Sequence, residues 1–203
     1  MEKFYTLEKK QRHPWGDYHD ILMQGMSCHL GRDGGLIQLE RTGPFVPPIS
    51  FPGIGDTVIT DKFRRRLEAS GLEGLRFAHV IKKLIVRSDW HTWDQTAGQP
   101  PQYPDNGEPG NYILEQPHSA ATAQAMGELW ELVLNPSARV FRAKRICTHE
   151  DIYLQPDSWQ GEDLFKAQGV GYIYITERAK IWLEENAGDY VAFRGARIKD
   201  AAA

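Results

Sequence analysis

Cysteine is scarce in this chain, with only Cys28 and Cys147 among 203 residues. Two thiols so far apart cannot form the disulfide framework of a small secreted domain. Long apolar runs are missing as well. No stretch approaches the roughly 20 apolar residues that a membrane-spanning helix needs, and the opening MEKFYTLEKK lacks the apolar core of a signal peptide. Nor is there an excess of positive charge. With 24 basic and 27 acidic residues the net charge is −3, so no basic field is available to hold nucleic acid by counterion release. These absences point to a reducing cytoplasm, with no membrane and no nucleic acid as partners. What the chain does have is 41% hydrophobic content, enough to bury a core without covalent staples.

The central pattern is an internal repeat. A shift of 116 brings Ile59, Thr60, Asp61, Leu67, Glu68 and Phe77 onto Ile175, Thr176, Glu177, Leu183, Glu184 and Phe193. Each copy reads as an apolar strand, a polar cap, two to three helical turns, a break containing glycine, and a second strand. In the first copy Asp61 is the expected N-cap, the helix runs over about 62–70, and Gly71 is the left-handed residue that ends it. In the second, Ala179, Trp182, Leu183 and Asn186 share a helix face that can pack on a sheet. The fold class is therefore α+β, with mixed sheets packed by a few helices and a strand-helix-strand unit used twice.

Around these copies the chain offers further elements. Phe4 to Leu7 reads as an edge strand, and Leu36 to Glu40 as another strand. Gly31-Arg-Asp-Gly-Gly35 has the glycines of a hairpin turn but no following helix to make a phosphate cradle. The proline-rich stretch 43–53 must run extended. Residues 76–87 are apolar on both alternation faces, as in a central strand covered on each side, although Lys82 and Lys83 interrupt them. Arg64, Arg65 and Arg66 read as a solvated helix face. Residues 95–110 hold four prolines and three glycines and form a loop or linker. Ser119 is expected to cap a helix over 120–134, with Ala123, Met126 and Trp130 in one stripe and Asn135-Pro136 as its stop. Val140 to Cys147 reads as a strand, and the tail 200–203 as unordered. The domain reading is an N-terminal half over 1–94, the loop 95–110, and a C-terminal half over 111–203.

Two clusters carry candidate chemistry. Ser88-Asp89-Trp90-His91-Thr92-Trp93-Asp94 places a histidine between two aspartates, which could serve a small hydrolase or metal-dependent enzyme using His91 and Asp89, with His79 in support. No nucleophile or oxyanion turn accompanies them, and tryptophans covering the core at a strand end explain the same residues. Exposed tryptophan beside acid is also the composition of an interface hot spot. The second cluster, Cys28-His29 with Cys147-Thr-His149, supplies zinc-type donors without Cys-x-x-Cys spacing, so buried small hydrophobes are the expected role of both cysteines. Metal and cofactor are both expected to be absent.

The motifs Gly161-Glu-Asp-Leu-Phe165 and Ile173-Tyr-Ile-Thr-Glu-Arg-Ala179, with the earlier Val58-Ile-Thr-Asp61 copy, resemble immunity proteins of bacterial polymorphic-toxin systems. The likeness is closest to the myxobacterial type and the related double Cys-x-x-Cys-Gly group, and it covers residues 50–87 and 157–195. The double-cysteine knuckles are absent here, which removes any zinc-ribbon inference. The resemblance implies a non-catalytic, cytoplasmic antidote that binds one cognate toxin. On that basis the contact surface is expected in the aromatic and acidic region of Trp90, Trp93, Asp94, Tyr103, Asp105 and Glu108, because loops carry binding residues more often than core elements do.

Overall fold

The structure is a computed structural model, described over residues 2–11, 14–27, 31–144 and 148–199. Among these residues the chain forms β1 (Phe4–Lys9), α1 (Asp17–Gln24), β2 (Met26–Ser27), β3 (Gln38–Gly43), β4 (Ile49–Gly53), β5 (Asp56–Thr60), α2 (Asp61–Glu68), β6 (Arg76–His79), β7 (Ile81–Arg87), α3 (Asn111–Leu114), α4 (Ala120–Ala125), β8 (Leu129–Val133), β9 (Pro136–Arg142), β10 (Ile152–Gln155), β11 (Leu164–Ala167), β12 (Ile173–Thr176), α5 (Glu177–Ala187) and β13 (Val191–Gly195). This is an α+β fold with mixed sheets. It divides into two compact units that interleave along the sequence: one of residues 1–10, 66–76 and 133–203, the other of 11–65 and 77–132. The loop 95–110 lies inside the second unit. No helix among the described residues is long and apolar enough to cross a membrane.

The first unit is built on a six-stranded sheet in the order β10-β9-β11-β12-β1-β13. Its pairs are antiparallel except β9 with β11. The edge strand expected over Phe4 to Leu7 is β1, and it is interior instead, between β12 and β13. The outer edge of β10 is met by the segment after β13, where Leu154 N–H donates to Arg197 O and Lys199 N–H donates to Leu154 O. Phe4, Leu154, Phe165 and Tyr174 form the core on one face, with Phe4 edge-on to both Trp159 and Phe165. Helix α5 packs on β12, β13 and β1. It buries Ala179, Leu183 and Ala187, and full burial of a leucine such as Leu183 contributes about 2–3 kcal/mol.

The internal repeat is visible in the topology. In β12-α5-β13 the two strands do not pair with each other but flank β1, and in β5-α2-β6 they flank β8. The caps correspond too. Phe63 N–H donates to Thr60 Oγ1 and Ala179 N–H to Thr176 Oγ1, both at 3.3 Å, and these threonines are the pair related by the shift of 116. The cap of α2 is thus Thr60 rather than Asp61. Asp61 is the first helical residue, where its charge suits the positive helix end. The helix ends at Glu68, and Gly71 takes the expected left-handed conformation at φ +71°.

The second unit holds two sheets, β2-β3-β7 and β4-β5-β8-β6. The apolar run 76–87 is therefore two strands in different sheets, split at Val80, and β7 is an edge rather than a central strand. Its exposed edge is plugged by the next segment, since Ile85 N–H donates to His118 Nδ1 and Ser119 N–H donates to Ile85 O. Lys82, which looked like an interruption, donates to Ala123 O and Gly127 O at the end of α4, where a cation is favoured. The Gly34-Gly35 hairpin is as expected, with both residues at positive φ and Asp33 bridged to Leu36.

The helix expected over 120–134 is a correction. Ser119 does cap it, accepting from Thr122 N–H, but α4 ends at Ala125. Gly127 turns the chain at φ +72°, and Leu129–Val133 is strand β8, paired antiparallel with β5. The Ala123, Met126, Trp130 spacing fits a helical stripe, yet Leu-Trp-Glu-Leu-Val also suits a pleated, half-buried surface, and pairing with β5 decides it. Glu131, 5% exposed, is neutralised there by Arg32 through two contacts of 2.8 Å.

Candidate functional site

The expected contact region belongs to the second unit and is assembled on the end of β7. Ser88 N–H donates to Gly43 O, after which Trp90–Thr92 makes a single tight turn closed by Thr92 Oγ1 donating to Asp89 O. From there to Gly110 the backbone has no regular secondary structure. Aromatic side chains hold it in place. Trp15 Nε1–H donates to Ala97 O (2.9 Å), Tyr18 OH donates to Gly107 O, and Tyr112 OH donates to Gln102 Oε1 (2.7 Å). Trp93 sits with Trp15 and Tyr112 at ring separations of 6.0 and 6.2 Å, and Tyr103 meets Tyr18 edge-on at 4.8 Å. Such pairs add about 0.5–1.5 kcal/mol each beyond burial.

The six residues singled out do not share one environment. Trp90 is only 3% exposed, boxed by His19 and Phe45. It is a core residue, and a partner cannot touch it; the apolar indole gains more from burial under α1 than from display. Trp93 is half-buried, whereas Asp94, Tyr103, Asp105 and Glu108 lie on the surface, with Tyr103 44% exposed. Asp94 accepts from Thr96 Oγ1 and N–H, and these bonds hold its carboxyl below the usual range. The charge distribution is lopsided. Residues 88–117 contain Asp89, Asp94, Asp105, Glu108 and Glu115 with no lysine or arginine, a charge of −5 against −3 for the whole chain.

Sequence reasoning overlooked Trp15, Tyr18, Gln102 and Tyr112, which pin the loop, and the signal that would have found the patch is charge counted by segment. Next to Tyr103 lies a small recess of about 80 Å³, lined by Val86, Arg87, Gln102, Pro104, Tyr112 and Gln116. Burial raises the Tyr112 hydroxyl pKa, which keeps it a proton donor to Gln102.

The alternative catalytic residues are placed differently. His91 is exposed and stacks on Phe45 at 4.6 Å, and no hydrogen bond or ion pair joins it to Asp89 or Asp94 among the described residues. His79 stacks on Trp130 at 4.0 Å. Trp130 also receives the Arg64 guanidinium, and its Nε1–H donates to Asp61. Asp61 binds Arg64 and Arg65 as well, so part of the arginine run is engaged locally rather than free in solvent. Cys28, His29 and Cys147 lie outside the described residues, as does the tail 200–203. His149, in the first unit, has Nε2 3.3 Å from Thr6 Oγ1, and burial lowers its pKa. Among the described residues no three His, Cys, Asp or Glu side chains are grouped to hold a metal ion.

The motifs Gly161–Phe165 and Ile173–Ala179 have a structural role in the first unit. Gly161 takes φ +104°, Leu164 and Phe165 are in the core, and Asp163 is a buried junction. It accepts from Thr176 Oγ1 (2.7 Å), from the Arg178 guanidinium, and from Glu73 N–H (2.9 Å). The sequence matches no known protein-family model and no curated protein.

Proposed function

We propose that this protein is an immunity protein that neutralises one cognate antibacterial toxin in the cytoplasm by binding it, without catalysis. The supporting observation is the surface of residues 88–117, where five carboxylates without a basic residue are displayed on a stretch anchored by hydrogen bonds from Trp15, Tyr18 and Tyr112. An irregular loop held in one shape loses little entropy on binding, and a concentrated acidic field speeds encounter with a basic partner. Trp93, Asp94, Tyr103, Asp105 and Glu108 form the contact surface in this reading. The resemblance of residues 50–87 and 157–195 to polymorphic-toxin immunity proteins supports the class.

The test is to co-express the chain with each product of the adjacent reading frames and score growth rescue together with co-purification. Rescue with a stable complex is expected for one neighbour. The triple substitution Tyr103→Ala, Asp105→Ala, Glu108→Ala should remove both rescue and complex while stability falls by little more than the lost Tyr103–Tyr18 ring pair, about 0.5–1.5 kcal/mol. A triple variant that protects as well as the parent sinks the assignment of the surface, and no rescue by any neighbour sinks the class.

A further inference from the structure

The recess beside Tyr103 has a donor inventory that the acidic surface around it does not share. Its lining contains no carboxylate but does contain Arg87, and no hydrogen bond or ion pair engages the Arg87 guanidinium among the described residues. Tyr112 OH donates to Gln102 Oε1, with Ser88 Oγ at 3.5 Å, so the Gln102 carbonyl is occupied and its amide N–H₂ is left as the available end. The Gln116 amide and the Tyr103 hydroxyl likewise have no hydrogen-bond partner among the described residues. One fixed positive charge and three neutral donor groups therefore border a space of about 80 Å³, several times what one water requires.

An arginine fork with amide donors matches the two oxygens of a planar carboxylate, and charge-assisted bonds of this kind are the strong ones. The surroundings add a condition. Asp105 follows Pro104 directly and Glu115 directly precedes Gln116, and their field opposes a bare anion while favouring a cation close by. We propose that the recess is a carboxylate-binding subsite, selective for a carboxylate flanked by positive charge. A glutamate or aspartate side chain within a basic protein surface and a free small carboxylate share this chemistry. The inference stands on the recess itself and does not require the immunity reading.

The experiment follows the side-chain amide resonances of Gln102 and Gln116 in the full chain by NMR during titration with three probes: acetate, acetyl-Lys-Glu-Lys-amide and acetyl-Lys-Gln-Lys-amide. Acetate and the glutamate peptide should shift both amides, and the glutamine peptide should not. Arg87→Gln should weaken the response about 10-fold or more, and Gln116→Glu, which puts a carboxylate into the recess, should abolish it. Both positions are exposed, so unchanged amide spectra elsewhere will show that the variants fold. Tighter binding of the glutamate peptide than of acetate is the expected order and identifies a side chain flanked by positive charge as the preferred source; tighter binding of acetate overturns that selectivity. No response to either carboxylate, an equal response to the glutamine peptide, or undiminished binding by Arg87→Gln overturns it. A chain that binds the carboxylates but rescues against no neighbour keeps this site and loses the immunity function, and the opposite pair of results does the reverse.

Discussion

Replacing Asp163 with alanine tests whether the Gly161–Phe165 motif is architectural. The carboxylate is 6% exposed and accepts from Thr176 Oγ1, Glu73 N–H and the Arg178 guanidinium. Arg178 is 60% exposed at its side chain and rehydrates when its partner is removed, so its share is small. Thr176 is 3% exposed and loses a charge-assisted bond in a place where water cannot replace it. Two such bonds, set against the relief of no longer burying a charge, give a loss of about 3 kcal/mol. For a chain of this size that corresponds to a fall of roughly 6–12 °C in Tm. Asp163→Asn keeps an acceptor for Thr176 but turns an N–H₂ toward the Glu73 N–H and Arg178 donors, so it should lose about half as much. The pH dependence gives a second readout. Burial alone pushes this carboxyl up, but the hydrogen bonds from Arg178, Thr176 and Glu73 together outweigh it and hold its pKa below the usual carboxylate range. Its contribution is therefore complete above about pH 4 and is lost as the pH falls through the lowered value. Urea unfolding followed by circular dichroism at pH 7 and again near pH 3 measures both effects. A loss below 1 kcal/mol at pH 7, or one that does not shrink in acid, would refute the role assigned to Asp163.

Three further outcomes are expected. Thr60→Ala should cost about 1 kcal/mol as a lost helix cap, and Thr176→Ala more, because it also donates to Asp163; equal losses in urea unfolding would contradict this. Gly127→Ala forces a side chain into φ +72° and should destabilise by about 1 kcal/mol with no effect on partner binding, measured by thermal unfolding and co-purification. Trp90→Ala should cost about 3–5 kcal/mol by opening the packing against His19 and Phe45, so that stability and protection fall together, whereas the Tyr103, Asp105, Glu108 variant separates them.

The strand-helix-strand repeat was legible because its signals are local. A polar cap before a helix, a glycine after it and an apolar strand on each side act within about ten residues, although the capping side chain of α2 is Thr60, one residue before the expected Asp61, and it matches Thr176 in the second copy. The Gly34-Gly35 turn and the Ser119 cap were legible for the same reason. What lay beyond the sequence was which strand fills the gap in each repeat, because β1 and β8 come from distant parts of the chain and only pairing places them. The same limit misassigned Leu129–Val133, whose apolar spacing fits both a helix and a strand until β5 lies beside it. For the candidate surface, the acidic and aromatic content of 88–117 is a property of the sequence alone. Burial is not, since the two tryptophans three residues apart have opposite fates: Trp90 is enclosed by His19 and Phe45, and Trp93 is left half-exposed. Composition sets which groups are available to be displayed, and only the packing of remote segments decides which of them water reaches.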